Sequence, residues 1–211
     1  VLVPLNIRLV QRELRLQIDR SDCHFVVYSE NTAELVKGLT NEKCRLLPLE
    51  NLLEKASGTE IKPVNAFHLD NLQTIVFTSG TTGEPKGAML TFANHFWSAT
   101  ASAFRLGVKH NDRWLSCLPL YHVGGLAVLF RSCLYGTAVV LHNRFDVKAV
   151  SESLDSQKIT LISLVPTIVQ RLLAYRQGRP WPPKLRHLLL GGAAASPDLM
   201  ERCGLFGDEE W

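Results

Sequence analysis

Thr74-Ile75-Val76-Phe77 runs directly into Thr78-Ser79-Gly80-Thr81-Thr82-Gly83-Glu84-Pro85-Lys86-Gly87. The first four residues are β-branched or aromatic and read as a short buried strand. The next ten hold four hydroxyls, three glycines and a lysine. Glycine lets the backbone turn its N–H groups toward an anion. The hydroxyls of Thr78, Ser79, Thr81 and Thr82 add donors, and Lys86 adds a point charge. Together they suit a polyphosphate. The spacing is not that of a Walker A loop: counting from Gly80, the second glycine position holds Pro85, and Gly87 follows Lys86 where Ser or Thr is needed. Nor is Ser79 on a nucleophile elbow, because Phe77 takes the first glycine position. The plainer reading is a polar turn between strand and helix, for which so many hydroxyls are excessive.

Downstream of this loop, strand and helix patterns alternate. A helix is expected over Thr91–Gly107 with Thr91 as N-cap, a strand over Trp114–Leu118, and a helix over Gly125–Tyr135 stopped by Gly136. A strand follows at Thr137–His142, then a helix from Asp146 to Lys158, a strand at Thr160–Val165, and a helix opened by Pro166. Leu185–Leu190 reads as the next strand, and Ser196-Pro197 opens a last helix. This is a βαβ pattern. It predicts an α/β fold with a mostly parallel sheet and covering helices, whose ligands sit at the carboxyl ends of the strands. Upstream, Val10, Leu14 and Ile18 fit one helix face, and His24–Tyr28 reads as a strand. The stretch Glu42–Asp70 is weakly patterned and reads as surface connection.

The 211 residues are 46% hydrophobic and 20% charged, with net charge +3, which excludes a disordered chain and gives no basic tail for nucleic acid. The longest clean apolar run, Val123 to Phe130, is far short of a membrane span, for which about 18 residues are needed. Cys23, Cys44, Cys117, Cys133 and Cys203 are scattered without a CxxC pair. They read as small buried thiols in a reducing, cytoplasmic setting. Arg8, His110, Asp112 and His142 lack metal-ligand spacing and read as solvated surface.

The segment Ser79 to Gly87 closely resembles the signature loop of the adenylate-forming enzymes, which include acyl-CoA synthetases, firefly luciferase and non-ribosomal adenylation domains. Val3-Pro4-Leu5-Asn6-Ile7-Arg8-Leu9, Leu118-Pro119-Leu120-Tyr121-His122-Val123-Gly124-Gly125, Ser163-Leu164-Val165-Pro166-Thr167 and Leu190-Gly191-Gly192-Ala193 resemble further segments of that family, in the same order. Within it, the stretch Trp114 to Leu126 looks most like the o-succinylbenzoate–CoA ligases of menaquinone and phylloquinone synthesis.

The resemblance implies a two-step reaction: ATP and a carboxylic acid give an acyl-adenylate and pyrophosphate, and coenzyme A then displaces AMP. It implies catalytic roles for Lys86 and His122, and nucleotide contacts from Thr78, Ser79, Gly80, Thr81, Thr82, Gly83 and Lys86. Acyl or adenine contacts are implied for His122, Ser163, Thr167, Gly191, Gly192 and Ala193. Mg2+ is expected on the phosphate oxygens, with no protein ligand apparent for it. The likeness extends over residues 1–203 and leaves 204–211 unmatched. The expectation is therefore an incomplete N-terminal AMP-binding domain, without the mobile C-terminal lid domain and inactive on its own. Three alternatives stay open: a ligase for another acyl or aryl acid, a non-catalytic nucleotide-binding module, and a fragment unable to fold alone.

Overall fold

The structure is a computed structural model that describes residues 1–39, 43–56, 66–78 and 84–204. The chain divides into two compact units, Val1–Ala93 and Asn94–Trp211.

In the first unit, helix α1 (Gln11–Arg20) buries Leu14 and Ile18, each 1% exposed. Val10 sits outside the helix face as its exposed N-cap, where its N–H donates to Glu13 Oε2 at 3.1 Å. Strand β1 (Phe25–Tyr28), the short helix α2 (Ala33–Val36), strand β2 (Arg45–Pro48) and helix α3 (Leu49–Ala56) follow. β1 and β2 pair in parallel, and Leu14, Ile18, Val26, Val36, Leu39 and Cys44 form the core above them. β2 and α3 correct the expectation of surface connection over Glu42–Asp70. Leu46, Leu47 and Pro48 carry little strand propensity; pairing with β1 makes them a strand.

A second correction concerns the polar loop. Strand β3 (Leu72–Thr78) is followed not by a helix but by strand β4 (Lys86–Thr91), antiparallel to it, with Thr78 opposite Lys86 and Phe77 opposite Gly87. A Cβ at Gly87 would stand 2.8 Å from Ile75 Cγ2, so glycine is what admits the close strand approach. Thr91 ends β4 opposite Leu72 and is at the same time the residue directly before the helix that starts at Phe92, the N-cap position expected of it.

Helix α4 (Phe92–Leu106), nearly all of it in the second unit, stops at Gly107 with φ +66°. The remaining elements are β5 (Arg113–Ser116), α5 (Val123–Tyr135), β6 (Ala138–Leu141), α6 (Val147–Ser156), β7 (Leu161–Leu164), α7 (Pro166–Arg176), β8 (His187–Leu190) and α8 (Pro197–Cys203). The signals for their ends hold. Asp146 Oδ1 accepts from the Ala149 N–H at 2.8 Å, Ser196 Oγ accepts from the Leu199 N–H at 3.2 Å, and Gly136 takes the left-handed conformation after α5.

The four strands form one parallel sheet in the order β6-β5-β7-β8. One face packs Trp114 and Leu161 against Val128 of α5. The other packs Leu115, Ile162 and Leu164 against Val150, Leu154, Val169, Leu172 and Leu199 of α6, α7 and α8. All four residues of β7 are buried, as a strand covered on both faces must be.

At the amino edge of the sheet, Asp112 overturns its reading as solvated surface, for it is 4% exposed. It accepts from Arg186 Nε at 2.9 Å, Thr160 Oγ1 at 2.8 Å and the Lys109 N–H at 2.8 Å. Arg186 also donates to the Leu106 and Gly107 carbonyls, which closes the C-terminal turn of α4. His142 also departs from that reading, being half-buried with its Nε2 3.0 Å from Ser153 Oγ, whereas Arg8 and His110 are exposed as expected. Among the thiols, Cys44, Cys117 and Cys203 are buried, but Cys133 is exposed.

Candidate active site

The expected site residues fall on both units. In the first, Thr78 and Lys86 close the stem of the β3–β4 hairpin, and Thr78 Oγ1 donates to the Lys86 carbonyl at 3.4 Å. Lys86 is exposed. Ser79, Gly80, Thr81, Thr82 and Gly83 lie outside the described residues. The arm that returns to Lys86 is tied to α1: Arg20 Nη1 donates to the Pro85 carbonyl at 2.7 Å, and Arg20 Nη2 forms an ion pair with Glu84 Oε2.

In the second unit, the remaining residues gather at the carboxyl edge of the parallel sheet. His122 is the N-cap of α5; its imidazole makes no capping bond and is exposed, 4.7 Å from the Tyr121 ring centre. The sharp entry into α5 depends on Gly125, whose absent Cβ would lie 2.4 Å from the Pro119 carbonyl oxygen. Thr167 is exposed in the first turn of α7. Gly191 donates its N–H to the Leu164 carbonyl at 3.1 Å, which carries the β7–β8 pairing one residue beyond the strands. Gly192 has φ +79°, and a Cβ there would meet Val165 Cγ1 at 3.2 Å. The Gly191–Ala193 backbone is thus bare and exposed beside the end of β7. Ser163 is 9% exposed, and its Oγ accepts from Trp114 Nε1 at 3.1 Å.

Sequence reading passed over three residues that this geometry brings forward. Arg20 is far from the loop in sequence, and nothing in α1 points to it. Trp114 and Ser116 did carry a signal: alternation along β5 sets both on the Ser163 side of the sheet. Ser116 is 2% exposed and its hydroxyl has no hydrogen-bond partner among the described residues.

The profile of the AMP-binding enzyme family matches residues 1–207. The chain belongs to that family. Among the family's members, the 2-succinylbenzoate–CoA ligase of Bacillus licheniformis is 41% identical over 202 residues, which are 96% of this chain and 41% of the relative. The Bacillus subtilis ligase is 37% identical over 201 residues, 95% of this chain and 40% of its own length. The chain therefore spans about two fifths of the length of the relatives it matches.

Solved family structures agree with the α/β architecture. The o-succinylbenzoate coenzyme A synthetase of Bacillus subtilis, in complex with ATP and magnesium ion, gives a TM-score of 0.86 at 37% identity over 96% of this chain and 41% of that one. The same enzyme with its acyl-adenylate intermediate also gives 0.86 at 37% identity, over 95% and 40%. The N-terminal domain of FACL13 from Mycobacterium tuberculosis, 24% identical, shares the fold at a TM-score of 0.84, covering 96% of this chain and 53% of that one. Among the described residues, no helix is long and apolar enough to cross a membrane.

Proposed function

We propose that the protein carrying this chain is an AMP-forming acid–thiol ligase that converts o-succinylbenzoate to its coenzyme A thioester. The observation that carries this reading is the likeness, over 95% of the chain, to a Bacillus subtilis enzyme solved with its acyl-adenylate. The residues support it in two places.

The Thr78–Lys86 segment receives the polyphosphate of ATP. Its N–H groups and hydroxyls, with the Lys86 ammonium, stabilise charge that grows on pyrophosphate as the acid's carboxylate oxygen attacks the α-phosphorus and the α–β bridging bond breaks. Mg2+ arrives on ATP as part of the substrate and draws charge from the phosphate oxygens. Among the described residues no group of three or more His, Cys, Asp or Glu side chains is placed to hold a metal ion.

The carboxyl edge of the second unit receives the acid and the adenylate. His122 and Thr167 offer exposed polar groups, Ser163 a hydroxyl held from behind, and Gly191-Gly192-Ala193 a bare backbone against which a flat ring can lie. In the second half-reaction the coenzyme A thiolate adds to the acyl carbonyl, and AMP leaves with the electron pair of the acyl–phosphate bond. The reading includes a cytoplasmic setting, consistent with the buried thiols of Cys117 and Cys203.

The test is acid-dependent exchange of labelled pyrophosphate into ATP by the whole protein, followed by thioester formation with o-succinylbenzoate and coenzyme A. Exchange that proceeds equally well without acid would refute adenylation. Thioester formed only from an unrelated fatty or aryl acid would refute the substrate.

A further inference from the structure

Glu84 is out of place on electrostatic grounds. It lies in a segment whose other groups favour an anion, two residues before Lys86, and its carboxylate opposes the charge of any polyphosphate bound there. The first unit contains a partner for it. Arg20 is the last residue of α1, a helix fixed by Leu14 and Ile18 in the core. Its guanidinium spreads two nitrogens over the returning arm of the hairpin, one on the Glu84 carboxylate and one on the Pro85 carbonyl at 2.7 Å. One side chain thus offsets the adverse charge and holds the peptide immediately before Lys86.

A planar guanidinium can do both together, because its donors are rigidly arrayed; a lysine ammonium supplies charge without that fork. As a stabilising contact the pair is minor, with side chains 37% and 69% exposed. Its value lies in what it does to a third charge nearby.

We propose that Arg20 is a positioning residue for polyphosphate binding: it neutralises Glu84 and fixes the Pro85–Lys86 arm, so that Lys86 meets the nucleotide's phosphates without competition from a neighbouring carboxylate. The proposal rests on the acid-activating reading for its biological use, but not for its test, since inorganic tripolyphosphate probes the same charges.

The experiment compares Arg20→Gln, Arg20→Lys, Glu84→Gln and the double variant Arg20→Gln/Glu84→Gln in the whole protein. Each is checked by thermal melting, then assayed for pyrophosphate exchange and, separately, for tripolyphosphate binding by calorimetry. Arg20→Gln should raise the KM for ATP and the Kd for tripolyphosphate about threefold to tenfold, the scale of one partly screened charge, with kcat changed less than about twofold. Arg20→Lys should recover part of the loss, since it restores charge but not the fork. Glu84→Gln should bind at least as tightly as wild type, and the double variant should return to within about twofold of it, because the opposing charge is gone. Added salt should shrink the Arg20→Gln defect.

A double variant as impaired as Arg20→Gln alone overturns the neutralising role, as does a fall in kcat with KM unchanged. Should Arg20→Gln fail to fold, Arg20→Lys and Glu84→Gln still decide: equal, unchanged affinities for both overturn the proposal. Wild-type protein that binds tripolyphosphate with this variant pattern but exchanges no pyrophosphate sinks the ligase reading and leaves the proposal standing. Absence of polyphosphate binding sinks both.

Discussion

Replacing Gly125 by alanine isolates one backbone contact on which the His122 turn depends. A Cβ at residue 125 would lie 2.4 Å from the Pro119 oxygen, 2.8 Å from the Leu118 oxygen and 2.9 Å from the Pro119 carbonyl carbon. Carbon–oxygen contacts settle near about 3.3 Å or more, so the new atom overlaps by roughly 0.9 Å, and against backbone rather than a flexible side chain. Overpacking of this kind costs about 1–3 kcal/mol. The helical preference of alanine over glycine returns about 0.5–1 kcal/mol, for a net destabilisation of up to about 2.5 kcal/mol.

Gly124 is the internal control. Its nearest neighbour, Leu118 Cδ1, is 4.0 Å from the corresponding Cβ, so alanine there should keep the helical gain of about 0.5–1 kcal/mol. Urea unfolding of the two variants side by side should therefore separate them by about 2 kcal/mol, or roughly 4–8 °C in Tm for a chain of this length. Activity should separate them further. Relief of the clash moves the start of α5, and His122 with it, and a displacement near 1 Å at a reacting centre can cost about a hundredfold in rate. Equal stability of the two variants, or a Gly124→Ala variant as weak as Gly125→Ala, refutes the reasoning.

Asp112→Asn should destabilise by about 3–5 kcal/mol at pH 7, since it leaves the Arg186 guanidinium without its buried anion. Burial alone would raise the Asp112 carboxyl, but hydrogen bonds from Arg186, the Lys109 N–H and Thr160, together with the charge of Arg186, outweigh it and hold the carboxyl below its ordinary value. The stabilisation is therefore present above about pH 4 and lost as pH falls through the depressed folded value; chemical denaturation across pH 2–7 should show the wild-type advantage over Asp112→Asn shrinking in that acid window. Trp114→Phe keeps an aromatic side chain, though a smaller one, and deletes the N–H that meets Ser163; it should raise the KM for the acid more than it lowers kcat, and add little to Ser163→Ala, whereas full additivity in the double variant would contradict a shared role. A thiol reagent at pH 8 should modify exposed Cys133 in the folded protein and spare Cys117, whose thiol burial pushes up to about 12; mass mapping of the adduct checks this.

Legibility tracked how local the deciding physics was. Caps and stops speak through one or two residues, so Asp146, Ser196, Pro166 and Gly136 bounded their helices correctly from sequence. β4 was hidden because Lys86 and Gly87 belong at once to the polar segment and to a strand, and Ala88-Met89-Leu90 has no β-branching; only pairing with β3 makes it extended. β2 was hidden for the same reason. Asp112 looks like any loop aspartate until Arg186 arrives from 74 residues away. The βαβ pattern pointed to the strand ends of the second unit, where the structure sets His122, Thr167 and Gly191, while the choice of those residues came from the family resemblance. Arg20 was not, for an arginine closing a helix says nothing about what lies 65 residues downstream.

Strand order also sets which pairings of the second unit are local in the chain and which are not. β5 finds β6 across a single helix, but its other neighbour, β7, reaches it only after the chain has crossed back over β5, a separation of 47 residues between Arg113 and Thr160. Until that return, one side of Trp114 has no strand beside it and its indole N–H has no Ser163 to meet. Non-local pairing of this kind slows folding and lengthens the exposure of apolar strand edges. A chain made from its amino end therefore presents β5 and β6 before α6 and β7. The edge that gathers His122, Ser163 and Gly191 is drawn from segments that the chain delivers one after another.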